Sequence, residues 1–271
     1  EQMSLREAHA SEVEALRASA IEERLAVIGQ RGEDGGWVNR ETGARIRAIV
    51  PMHVFGHAVD PEVFAVGERS GLPVVEDAAE ALGSREKGTH LGTKGLLGIL
   101  SFNGNKIVTC GGGGIIITDN EEIAKRAKDL STTSRKVTDF QYYHSEVGFN
   151  YRLPNINAAL GCAQLEQIGI FLDSKRRLAK DYQDFFSETK IEFLQERTNT
   201  TSNYWLNTIF FKDEKERMDF LSYTNENMIE TRGAWVLLNR LEPYKSCQTY
   251  EIENSESIAR SLVNLPSSVI T

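Results

Sequence analysis

One stretch of the chain limits its fold more than any other. From Ile46 to Val54 the residues are apolar and largely β-branched. Asp60 and Pro61 then open a helix, Gly71 closes it, and Pro73-Val74-Val75 starts a second extended segment. Asp60 suits the N-cap because its carboxylate accepts a free N–H of the first turn. Proline suits the first helical position, where no N–H is needed, and glycine takes the left-handed conformation that ends a helix. Two buried strands joined by a helix lie parallel, so the segment predicts a parallel α/β sheet.

The rest of the chain extends that pattern. Residues 11–28 place Val13, Leu16, Ala20, Ile21, Leu25 and Ile28 at helical spacing, and a glycine turn follows at Gly32, Gly35 and Gly36. Leu96–Phe102 and Gly114–Thr118 read as further strands, and Asp119 and Asn120 cap a helix over 121–130. Beyond Pro154 the character changes. Ile156, Ala159, Leu160 and Ala163 mark one helix, and a longer one carries Phe171, Leu178, Tyr182 and Phe185 on one face. Shorter strands at Ile191–Leu194 and Tyr204–Phe211 then alternate with helices. The domain boundary is placed within 165–175, giving units 1–168 and 169–271. Internal repeats and low-complexity tracts are absent from the sequence.

Charge and cysteine usage narrow the function classes. The net charge is −8 with no Lys/Arg stripe, a poor match to nucleic-acid binding. No apolar run approaches the length of a membrane span, and the charged N-terminus lacks the apolar centre of a secretory signal. Cys110, Cys162 and Cys247 are far apart, with no CxxC or Cys/His spacing. Neither a metal site nor a disulfide framework is expected, and a reducing, cytoplasmic setting fits best.

Three local features carry the chemistry. Pro73 to Glu80 is a strand ending in carboxylates, Ser101-Phe102-Asn103-Gly104-Asn105-Lys106 is a polar stretch after a strand, and Cys110 precedes Gly111 to Gly114. Ligands of open α/β sheets bind outside the carboxyl ends of strands, where two of these features fall. A carboxylate and a lysine facing that crevice suit pyridoxal 5'-phosphate (PLP), whose ring nitrogen takes an acidic partner and whose aldehyde takes an amine. Plainer readings exist for each piece. Most lysines are solvated, Asp77 with Glu80 also makes a helix N-cap pattern, and the glycines also suit a tight loop. A dinucleotide-binding G-x-G-x-x-G starting at Gly111 or Gly112 would need glycine where Ile116 or Ile117 stands, and no Walker-type loop occurs.

Taken together, these segments resemble the DegT/DnrJ/EryC1/StrS family of PLP-dependent sugar aminotransferases. The carrying stretches are PMHVFGH (51–57), EDAAEALGS (76–84), SFNGNKIVTCGGGG (101–114), GFNYRLPNINAALGCAQL (148–165), SNYWLN (202–207) and NLPSS (264–268). The NGNK wording, VNRETGARIRAI and SNYWLN are most similar to the legionaminic-acid-type (LegC-like) branch, and GDP-perosamine synthases share the EDAAEA wording. The resemblance implies an α/β chain of PLP-dependent transferase fold type I. Its large domain has a mostly parallel sheet and is N-terminally incomplete, and its small C-terminal domain is α+β.

The resemblance also implies roles. Lys106 matches the Schiff-base lysine, Asp77 the partner of the ring nitrogen, and Ser101 a phosphate-binding serine. Glu80 falls where many relatives carry Gln or His near the cofactor's phenolic oxygen. Asn150 matches an asparagine reaching the cofactor phosphate of a partner subunit, which implies a homodimer with shared active sites. His53, Arg152 and Asn239 are the implied substrate contacts. The expected substrates are L-glutamate and a 4-keto-6-deoxy nucleotide sugar, UDP-linked and GlcNAc-derived, for surface polysaccharide or nonulosonic-acid-type sugars. The alternatives are a GDP-perosamine synthase-like enzyme and a truncated homologue that only dimerises or binds nucleotide sugar. PLP-dependent sugar dehydratases of this fold carry His in place of the lysine, so Lys106 argues against that activity. Two departures stand out. A Gly-Thr/Ser-x-Ala phosphate turn and a ring-stacking aromatic, which relatives carry upstream, are not recognisable here. In Leu238-Asn239-Arg240-Leu241-Glu242, Asn239 replaces the usual His and Glu242 the usual Pro.

Overall fold

The computed structural model describes residues 20–138 and 140–270. Helix α1 covers 20–28 within that range, and the earlier part of the expected 11–28 helix, with Val13 and Leu16, lies outside it. Strands β1 (Gly29–Arg31) and β2 (Trp37–Asn39) pair antiparallel around the expected glycine turn. The Trp37 indole N–H donates to the Ser70 carbonyl at 2.8 Å, tying this hairpin to the end of α2 (Glu62–Ser70). Pro61 takes the N-cap position of α2 in place of the expected Asp60, whose Oδ1 accepts the Glu62 N–H at 2.9 Å from one residue earlier, and Gly71 ends the helix at φ 69°.

The Ile46–Val54 segment departs from the expected continuous buried strand. It runs parallel to β3 (Val75–Asp77), but only through bridges at Ile49–Val74 and Met52–Asp77. Ile49 N–H and His53 N–H donate to Pro73 O and Asp77 O, and Ile49 O and Pro51 O accept from Val75 and Asp77. Pro51 stands where the remaining donor is needed and has no N–H, so the ladder splits. Val50, Met52 and Val54 are exposed rather than buried.

Strand β3 is followed by a small hairpin of β4 (Arg85–Glu86) and β5 (Thr89–His90), then by β6 (Leu97–Ser101) and β7 (Gly114–Ile117). Strands β3 and β6 are parallel, in register from Val75–Leu97 to Asp77–Ile99, whereas β7 runs antiparallel to β6. No crossover helix separates β6 from β7, so the chain can turn back on itself there. A close approach fixes Gly98 in β6, where an added Cβ would lie 1.9 Å from the Gly92 carbonyl oxygen. Helix α3 (Glu121–Ser131) is capped by Asn120, whose Oδ1 accepts the Ile123 N–H at 3.0 Å. An exposed hairpin, β8 (Arg135–Val137) and β9 (Tyr142–His144), follows it.

Helices α4 (Asn155–Leu165) and α5 (Ile168–Ser187) lead to the C-terminal unit. The buried face of α5 carries Ser174, Lys175, Ala179 and Phe186. This corrects the expected face, since Phe185 points outward and Phe186 packs inward. Ala179 and Phe186 join Phe193, Tyr204, Ile209, Phe211, Val263 and Leu265 in one apolar core. That core covers an antiparallel sheet of β10 (Glu192–Phe193), β12 (Asn207–Phe210), β14 (Leu262–Leu265) and β13 (Arg232–Gly233), in that order. Strand β11 (Thr200–Thr201) instead pairs with β4, and helices α6 (Glu214–Glu226) and α7 (Glu253–Ser261) complete the unit. Tyr204 to Leu206, expected as strand, form the loop before β12. No described helix is long and apolar enough to cross a membrane.

Candidate active site

The site forms at the carboxyl ends of the parallel strands. Asp77 is the last residue of β3 and lies in register with Ile99, and Ser101 is the last residue of β6. Side chains alternate along a strand, so Asp77 and Ser101, two positions beyond Ile99, share one face of the sheet. Asp77 Oδ1 accepts the Ala79 N–H at 3.1 Å, and Ser101 Oγ accepts the Asn103 N–H at 3.3 Å. Lys106 enters from the turn that follows, its N–H bonded to the Asn103 carbonyl at 3.0 Å.

Lys106 is held on two sides. Its Nζ lies 3.3 Å from Glu80 Oε1 and 3.9 Å from the centre of a Trp205 ring. Cation–π contact of this kind contributes about 0.5–2 kcal/mol, more where water is excluded. Glu80 is buried, and its Oε2 accepts the Phe55 N–H at 2.8 Å. Burial raises the Glu80 carboxyl above its ordinary range; Phe55 N–H and Lys106 oppose the rise, and Asp77 adds to it. Phe55 itself sits at φ 56°, a left-handed conformation uncommon for an aromatic residue.

The loop before β12 locks this arrangement and supplies residues with no assigned role in the sequence reading. Asn203 is fully buried, and its Nδ2 donates to Glu80 O and Leu82 O at 2.8 and 2.9 Å. Ser84 Oγ accepts the Asn203 N–H and donates to Gly56 O. Gly56 has φ 89°, and a Cβ there would fall 1.9 Å from Asn203 Oδ1. Trp205 donates its indole N–H to Asn105 O at 2.8 Å and stacks on Trp235, with ring centres 6.2 Å apart. SNYWLN was visible in the sequence, but nothing local tied its Trp to a lysine so far away in the chain.

Lys106 lines a cavity of about 340 Å³ with Asn105, Lys175, Trp205 and Ser267. A second cavity, of about 440 Å³, shares Asn105, Trp205 and Ser267 and adds Arg232 and Trp235. His53 lines neither cavity. Its ring is buried, with Nδ1 accepting the Val59 N–H at 3.1 Å and Nε2 2.9 Å from Glu76 Oε2. An accepting Nδ1 leaves the proton on Nε2, so His53 donates to Glu76. Burial pushes the Glu76 carboxyl up, but His53 and the N–H groups of Gly95, Gly92 and Lys94 outweigh it and hold it low. The pair braces β3 from the face opposite Asp77.

Asn150, Arg152 and Asn239 line neither cavity beside Lys106. Asn150 and Arg152 are exposed, with Asn150 bridged to Thr132, and Asn239 lies half-buried in the 3-10 turn Leu238–Arg240. The structure thus brings Asp77, Glu80, Ser101 and Lys106 to one end of the sheet, and of the expected site residues Lys106 alone lines either cavity.

Three of the four residues that converge fit PLP by their chemistry. Asp77 is an acid for the ring nitrogen, Lys106 an amine for the aldehyde, and Ser101 a hydroxyl for the phosphate. The family model for DegT/DnrJ/EryC1/StrS aminotransferases matches residues 37–270. A GDP-perosamine synthase of Escherichia coli O157:H7 is 32% identical over 225 residues, covering 82% of this chain and 61% of the relative. Its counterpart from Vibrio cholerae is 30% identical over 234 residues, covering 85% and 64%. Among solved structures, DesV of S. venezuelae, in complex with a ketimine intermediate, matches at 27% identity and TM-score 0.74, covering 83% of this chain and 60% of that one. The chain therefore spans less than two thirds of the length of these relatives. The shared architecture is that of the fold type I PLP-dependent transferases.

Proposed function

Because the chain belongs to the DegT/DnrJ/EryC1/StrS aminotransferase family, we propose that it carries the catalytic lysine and acid of a PLP-dependent nucleotide-sugar aminotransferase. The observation that carries this reading is Lys106 at the strand ends, ion-paired to Glu80 and seated on Trp205, beside Asp77. The bound cofactor supplies an electron sink for the carbon that loses its proton. Asp77 would hold the ring nitrogen in its charged form, Ser101 would hold the phosphate, and the Lys106 amine would hold the aldehyde. When free, Lys106 Nζ would serve as general base for the proton at the donor Cα. Glu80 lies within reach of that nitrogen and orients it.

L-Glutamate is the proposed donor, and a 4-keto-6-deoxy sugar linked to a nucleotide the acceptor. The UDP-linked, GlcNAc-derived form is the first reading. The matches to two GDP-perosamine synthases support a GDP-linked substrate as the second. A homodimer is the proposed assembly, with Asn150 reaching the partner's cofactor. The arm bearing Asn150 supports this, because Phe140, Val147 and Tyr151 are 98%, 86% and 76% exposed. Apolar surface gathered on one segment in this way marks a contact surface. A cytoplasmic setting accords with three free cysteines.

Adding PLP to the purified chain should produce an absorbance band at roughly 420 nm from the lysine adduct. Lys106→Ala should remove it while leaving the far-ultraviolet circular dichroism unchanged. A band that persists in the variant contradicts the assignment. No band in either protein favours a homologue that only dimerises or binds nucleotide sugar.

A further inference from the structure

Lys106 shares its cavity with a second lysine that the proposed reaction does not use. Lys175 projects from α5 and is 4% exposed. Its Nζ donates to Trp205 O at 3.2 Å and to Ser267 O. An ammonium has three N–H groups, so one remains for a ligand. Among the described residues, no carboxylate forms an ion pair with Lys175, whereas Lys106 is already paired with Glu80. Burial lowers the Lys175 pKa to about 8, which leaves it predominantly charged at neutral pH. A desolvated cation held only by neutral carbonyls is costly and gains strongly from an anion.

We propose that the cavity between Lys106 and Lys175 is a carboxylate-binding subsite, with Lys175 as counter-ion and the Ser268 hydroxyl as a second donor at its rim. The choice of a small amino acid or 2-oxo acid as ligand rests on the aminotransferase reading. An amine donor that reaches the carbon held by Lys106 brings its carboxylates into the same cavity. The volume of about 340 Å³ points the same way, because it lies at the small end of ligand pockets, which run about 300–1,000 Å³. A five-carbon dicarboxylate suits that space better than a nucleoside diphosphate. Ser268 is exposed and makes no hydrogen bond among the described residues, so its hydroxyl is available.

Calorimetric titration of the full chain with glutarate, a dicarboxylate without an amine, tests the subsite apart from catalysis. Wild type should bind glutarate, and Lys175→Met should weaken it by about tenfold or more. Ser268→Asp places a like charge at the rim without touching the core and should weaken it comparably. It decides the matter if the Lys175 variant does not fold. UDP and GDP affinities should be unmoved in both variants. The proposal is overturned if wild type does not bind glutarate, or if the folded variants bind it as wild type does. It is equally overturned if UDP or GDP affinity falls while glutarate binding stays. The outcome stands apart from the aminotransferase reading. A wild type that forms no band near 420 nm yet binds glutarate through Lys175 refutes that reading alone. A normal band with glutarate binding indifferent to Lys175 refutes the subsite alone.

Discussion

Glu76, Asp77 and Glu80 fall within five residues, yet each carboxylate meets a different environment. Glu76 faces inward to His53 and backbone N–H groups, Asp77 lies on the opposite face and accepts the Ala79 N–H, and Glu80 reaches Lys106. The strand period separates the first two, and that separation was legible in the sequence. The partners were not, because His53, Lys106 and Trp205 arrive from other segments. Replacing His53 by Ala leaves a buried carboxylate short of a donor, and a loss of about 3 kcal/mol is expected by urea denaturation. His57 tests the acid side. Burial holds its pKa at about 4, below the ordinary 6.5, and its Nε2 has no hydrogen-bond partner among the described residues. It is therefore neutral when folded and protonates more readily when unfolded. Its contribution is full above pH 6.5 and is lost as the pH falls through 4, a span worth up to about 3 kcal/mol. His57→Phe should flatten the decline of stability between those pH values, and an unchanged slope would count against the burial argument.

At the scale of elements, the helix and strand signals that rest on local chemistry match the structure. Gly71 and Asn120 cap where a left-handed glycine and a capping side chain are required, and Asp60 bonds the first turn of α2 from one residue before its cap. The misreadings have long-range causes. Pro51 breaks a ladder whose other strand lies over twenty residues away, and the inward turn of Phe186 rather than Phe185 depends on where the C-terminal core sits. The direction of β7 follows from its connection to β6, which apolar content does not report. Gly98→Ala forces a Cβ against the Gly92 carbonyl and should cost about 1–3 kcal/mol, measured by thermal or urea unfolding. Gly104→Ala, with nothing within 4 Å of the added atom, should stay within about 0.5 kcal/mol of wild type. Equal effects of the two substitutions would contradict the packing of β6 described above.

For the whole molecule, we propose two units that meet around Lys106. One supplies the parallel strand ends, and the other supplies Trp205 and Lys175. The proposed boundary lies at 168/169, at the start of α5, with Asn203 and the β4–β11 pairing fastening the units together. The order of the motif stretches made the family legible from the sequence, whereas the convergence of Trp205 and Lys175 on Lys106 required the fold. The exposed arm makes a prediction at this scale. Val147→Asp with Tyr151→Asp should shift the protein toward monomer in sedimentation velocity with little change in thermal stability of the protomer. An unchanged sedimentation coefficient would remove the arm from the proposed interface.

The proposed function depends on Lys106 being the lysine that carries the cofactor. Borohydride reduction of the PLP-treated chain, followed by peptide mass mapping, tests it most directly. A pyridoxyl group is expected on the peptide containing Lys106, at the Lys106 nitrogen. A pyridoxyl group on Lys175 instead, or spread over surface lysines with none at Lys106, would contradict it.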